Sequence, residues 1–157
     1  MRSFLNDFSE YMRSLASEHN DILNSDNDRH YFRGEVEEFF QNLRSEVNFP
    51  CLVQEACEIE YRHNGAGFMK VRKTAFIIAD DYDQRNDYGD IEQCLSLCER
   101  IGEDVMGRII YDGVYMVDTE NISASYLQNQ QHKYVGCRFA FEIVEPACMY
   151  NPKKWQR

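Results

Sequence analysis

Apolar residues recur at three- and four-residue spacings near the start of the chain, where Phe4, Leu5, Phe8, Met12, Leu15 and Ala16 fall on one helical face. Ser3 precedes them, and a serine hydroxyl there accepts from an otherwise unpaired backbone N–H. An N-terminal helix is therefore expected over residues 1–17, with Ser3 as its cap. The segment around residues 18–28 is rich in Asn and Asp, which bond their own backbone in turns, and it reads as a loop. A second helical stripe carries Phe32, Val36, Phe39, Phe40, Leu43 and Val47, and it runs out before Pro50 because the residue before a proline avoids helical dihedrals.

From Cys51 the pattern turns strand-like. Leu52, Val53, Ala56 and Ile59 mix with Glu55, Glu58 and Glu60, and His63-Asn64-Gly65-Ala66-Gly67 supplies a turn. The next run puts Met69, Val71, Ala75 and Ile77 on one face and Phe68, Lys70, Arg72, Thr74, Phe76 and Ile78 on the other, so a hairpin of residues 51–62 with 67–80 is expected. The clearest helix follows an acidic loop and carries Ile91, Cys94, Leu95, Cys98, Ile101, Val105, Met106 and Ile109, stopping near Gly113. Two more strands are expected, Val114 to Gln128 and Lys133 to Glu145. Residues 146–157 have no periodicity and read as a C-terminal arm. The whole is an α+β fold over residues 1–157, a mainly antiparallel four-stranded sheet with helices packed on one face, in the order α-α-β-β-α-β-β.

Composition narrows the function classes. Hydrophobic residues make up 43% of the 157 residues, enough for one packed core, and no apolar run reaches the roughly 18 residues of a membrane span. A soluble, intracellular chain with no membrane partner is the expectation. Against 17 basic residues stand 27 acidic ones, a formal charge of −10, which repels phosphate backbones and disfavours a sequence-reading nucleic-acid binder. The charge is uneven: −7 on residues 1–64, −4 on 65–113 and +1 on 114–157. Six cysteines without a CxxC pair read as free thiols, and no structural zinc site is expected.

Candidate chemistry is sparse. Asp80, Asp81, Asp83, Asp87 and Asp90, with Glu92, form the densest acidic cluster. Read as a calcium loop starting at Asp81 it departs from the pattern, because Arg85 stands at the fifth position and Asn86 where glycine is needed, and a divalent metal held there for hydrolysis is the minor alternative. The simpler reading is a solvated loop whose last carboxylates favour the N-terminus of the next helix. No nucleophile elbow, phosphate-binding glycine loop or HExxH motif occurs, so no enzyme, metal or cofactor is expected.

The order of elements, the "NFPCLV" lead into the first strand, the long helix after the first hairpin and the closing "YVGCRFAFEIV" strand together resemble the tail terminator, or tail completion, proteins of long-tailed bacteriophages and related contractile systems. The resemblance covers about residues 32–145. It implies a structural virion protein: a homo-oligomeric ring, six-fold in that family, that caps the tail tube and joins it to the neck at the head. The implied partners are further copies, the tube and the connector, with DNA passing through the lumen without specific binding. The implied location is the tail-neck junction of the virion, after assembly in the host cytoplasm. On exposure alone, the expected interface residues are Asn64, Gly65, Gly67, Lys70, Arg72, Asp80, Asp81, Asp83, Arg85, Asp87 and Trp155. The competing expectation is a small cytoplasmic ligand-binding or adaptor domain whose aromatics line a pocket.

Overall fold

The computed structural model describes residues 3–35, 47–82, 88–129 and 134–156. Helix α1 spans Phe4–Glu18; Ser3 caps it by accepting the Asn6 N–H at 3.3 Å, and Phe8, Met12, Leu15 and Ala16 form its buried stripe. Helix α2 spans Tyr88–Asp112. It buries Ile91, Cys98, Ile101, Val105, Met106 and Ile109, and Gly113 follows at φ +61°, a conformation glycine adopts without penalty.

The strands are β1 (Tyr31–Arg33), β2 (Cys51–Gln54), β3 (Glu58–His63), β4 (Phe68–Asp81), β5 (Ser123–Asn129) and β6 (Tyr134–Ala147). They form one sheet in the order β1-β2-β4-β6-β5, with β3 also paired to β4. β4 and β6 are its spine, antiparallel from Phe68↔Ala147 to Asp81↔Tyr134. β2 and β3 lie end to end along one side of β4, against residues 76–79 and 68–73 respectively.

This overturns the expected four-stranded antiparallel sheet while leaving the α+β class intact. The sheet has six strands and is mixed, because β1 runs parallel to β2 through Tyr31↔Leu52 and Phe32↔Val53. Phe32, assigned from its spacing to a helical stripe, is thus a strand residue. Positions 36–46, which hold the rest of that stripe up to Leu43, lie outside the described residues. The expected strand 51–62 is two strands because its burial changes midway: β2 is buried throughout, whereas β3 is mostly exposed. Between them Glu55 still donates its N–H to the Ala75 carbonyl at 3.0 Å. The expected strand from Val114 is also broken. A turn at Asp118–Asn121 separates β5 from a single bridge, Val117↔Ile143.

The two described α-helices cover one sheet face. Their stripes meet Phe76, Ile78, Phe139, Phe141 and Ile143 in the main core, where Phe76 and Phe139 stack at 5.3 Å. Gln54 bonds both Tyr31 and Ser9, tying β1 and β2 to α1 inside that core. The opposite face carries a smaller cluster of Phe32, Val47, Cys51, Val53, Ile77 and Ala79.

Candidate functional site

The two interruptions in the outer strands face each other across the sheet. Glu55–Glu58 on one side and Glu120–Ser123 on the other wall a groove of about 810 Å³, and Lys73, Arg138, Ala140 and Glu142 contribute to its lining. Sequence reasoning missed this groove. Its signals were the loss of alternation at Glu55-Ala56-Cys57 and the turn-forming Asp118-Thr119-Glu120-Asn121.

Acids outnumber bases in the groove, and its cations are already engaged. Arg138 makes a forked contact with Glu55, at 2.7 Å from Nη2 and 3.1 Å from Nε. Lys73 pairs with Glu60 at 2.9 Å, and Arg62 bridges Glu60 at 3.0 Å to Glu142 at 3.2 Å. Hydrogen bonds from Arg62 and Lys73 lower the Glu60 carboxyl to about 2. Such exposed pairs add little stability, but among the described residues they engage both cations that line the groove, Lys73 and Arg138. Among the described residues no three His, Cys, Asp or Glu side chains are grouped to hold a metal ion.

The sequence-predicted site residues separate to the two ends of β4. Asn64, Gly65 and Gly67 form the β3–β4 turn, where the Asn64 side-chain oxygen accepts from the N–H groups of Ala66 and Gly67, both at 3.1 Å, and Gly65 adopts φ +87°. Because Phe68 pairs with Ala147, the C-terminal arm leaves β6 at this same end. That arm exposes Met149, Tyr150 and Trp155, the last 70% accessible, beside Lys153 and Lys154.

Asp80 and Asp81 stand at the other end of β4, roughly 40 Å away at strand rise. Burial raises the Asp80 carboxyl, opposed by the Asp81 N–H at 2.9 Å and a hydrogen bond with Cys94. Asp83, Arg85 and Asp87 lie outside the described residues. The cysteines are free, as expected, and burial pushes the thiols of Cys51, Cys94, Cys98 and Cys137 upward, away from the reactive thiolate.

Two of the expected interface residues are internal contacts. Arg72, only 7% exposed, lies over the Phe4 ring at 3.7 Å and pairs with Glu145 at 2.6 Å, fastening α1 to the sheet. Lys70 reaches the same Glu145 at 4.0 Å and lies 5.8 Å from the Tyr61 ring centroid. Exposure was misjudged there because strand alternation says which face a residue takes, not what covers that face.

No family model matches the chain, and no curated protein matches its sequence. The functional reading therefore stands on geometry, charge and the order of elements.

Proposed function

We propose that the chain is the subunit of a homo-oligomeric ring of the tail-terminator type, capping a tube and offering its other rim to a neck. The observation that carries this reading is the chemical difference between the ends of β4. One end presents a tight turn and an arm with exposed aromatics and two lysines, and the other presents the exposed carboxylate of Asp81 beside the half-buried Asp80. A ring whose strands run obliquely from one face to the other would display these ends on opposite rims. Two unlike neighbours stacked along one axis require two unlike rims. Six copies are the number implied by the resemblance.

The acidic groove face suits a wall past which a polyanion slides, since like charge suppresses adsorption. The competing small-ligand reading fits the groove less well. Ligand pockets are mostly apolar with a few placed polar groups, whereas this groove is open and lined by Glu35, Glu55, Glu58, Glu120 and Glu142.

Absolute mass by light scattering, over a concentration series in reducing buffer, tests the proposal. The expected result is a mass rising with concentration toward six protomers. A constant 18.6 kDa up to the solubility limit would refute it.

A further inference from the structure

Sheet edges are normally guarded against pairing with other chains by charge, proline or extreme shortness. β5 has none of these guards: Ser123–Asn129 is seven residues long and contains no charged residue and no proline. It ends the strand order, and no described strand pairs with its outer side. In a chain of formal charge −10, an uncharged and mostly exposed edge is the element that a second copy approaches at least electrostatic cost.

We infer that the outer edge of β5 pairs with the outer edge of β3 in a second copy, continuing the sheet from subunit to subunit. The inference rests on the ring reading and assigns its lateral contact. Strand direction permits it. β3, β4, β6 and β5 alternate in direction, so β5 runs opposite to β3 and identical copies side by side meet antiparallel.

Register permits it as well. Tyr126 lies level with Cys137 and Ile78, and Ile59 lies level with Arg72. Bringing Tyr126 beside Ile59 of the next copy thus requires a six-residue slide, from Ile78 to Arg72 along β4. That slide is about 20 Å, taken over four strand spacings of about 4.8 Å each, which corresponds to a strand tilt near 45°. Closed sheets tilt by roughly 35–45°.

This register also keeps faces matched. On the helix face Ala124 meets Tyr61 and Tyr126 meets Ile59, aromatic contacts formed from side chains that are exposed in the single chain. On the groove face Ser123, Ser125 and Leu127 meet Arg62, Glu60 and Glu58, so no like charges oppose.

Charge variants at Ser125, which is exposed, read the pairing directly. Ser125→Glu sets a carboxylate opposite Glu60 of the next copy and should reduce the light-scattering mass to one protomer. Ser125→Lys should keep the oligomer, and Ser125→Glu combined with Glu60→Lys should restore it. Each variant is first shown to keep the wild-type far-UV circular dichroism spectrum and a cooperative urea transition, since loss of assembly by itself lowers the midpoint. Should one fail to fold, Tyr126→Cys with Ile59→Cys, in a Cys148→Ser background, should give a ladder of cross-linked multiples on oxidation.

An oligomer that survives Ser125→Glu, or a double-cysteine protein that stays uncross-linked, would overturn the pairing while leaving the ring reading intact. Dimers cross-linked through Tyr126→Cys alone would replace it with a two-fold β5–β5 contact. A wild-type monomer at every concentration would defeat the ring reading and the pairing together.

Discussion

Gly102 and Gly107 lie in the same helix, and opposite outcomes are expected when each becomes alanine. A Cβ on Gly102 would lie 2.0 Å from Phe139 Cε2, 2.7 Å from Cδ2 and 2.8 Å from Cζ, whereas one on Gly107 would meet nothing within 4 Å. The Phe139 ring has little room to retreat, since it is buried and stacked on the fully buried Phe76 with an interplanar angle of 4°. Forcing a methyl into such a core costs about 1–3 kcal/mol, and contacts this short point to the upper half of that range. Alanine recovers about 1 kcal/mol of helix propensity relative to glycine at both sites. Gly102→Ala should therefore lose about 1–2 kcal/mol and Gly107→Ala should gain about 0.5–1 kcal/mol. Urea unfolding followed by far-UV circular dichroism measures both, with unchanged slopes showing that the midpoints report stability. Shortening the obstructing ring with Phe139→Leu should recover part of the Gly102→Ala loss. A Gly102→Ala protein at or above wild-type stability would refute the close approach of α2 to β6.

Arg72 and Phe4 should be energetically coupled. A double-mutant cycle of Arg72→Met and Phe4→Leu is expected to give an interaction of about 0.5–2 kcal/mol, and additive losses would remove the cation–π contact from the account. The Glu60 carboxyl sets a pH dependence whose sign follows from its lowered folded value, about 2 against the ordinary 4.5. Its contribution is complete above about 4.5 and is lost as pH falls toward about 2, because the unfolded chain takes up the proton first. The urea midpoint of wild type should thus exceed that of Glu60→Gln by a small margin at neutral pH and converge on it only as pH falls through about 2, and a gap independent of pH would contradict the assignment.

Local signals read from the chain held where local physics governs. The Ser3 cap, the stripe of α1, the turn at Gly65 and the long helix ending before Gly113 each depend on residues a few positions apart, so spacing alone located them. Tyr31–Arg33 went unread because three residues carry no usable period. Their strand state depends on hydrogen bonds to Cys51–Gln54 across a separation of about twenty residues. Arg72 was taken for a surface cation because alternation assigns it a face, while burial beneath Phe4 depends on how α1 docks.

What the amino-acid sequence determined by itself was the class of the fold, the helix stripes, the alternation of β4 and β6 and the excess of negative charge. These are periodicities and totals, and a periodicity needs no partner to be read. The division of the flanking strands, the parallel pairing of β1, the groove between the two breaks and the unguarded edge of β5 were decided only in three dimensions. Strand pairing satisfies backbone groups with partners distant in sequence, and which edges stay open depends on the order in which every strand finds its neighbour.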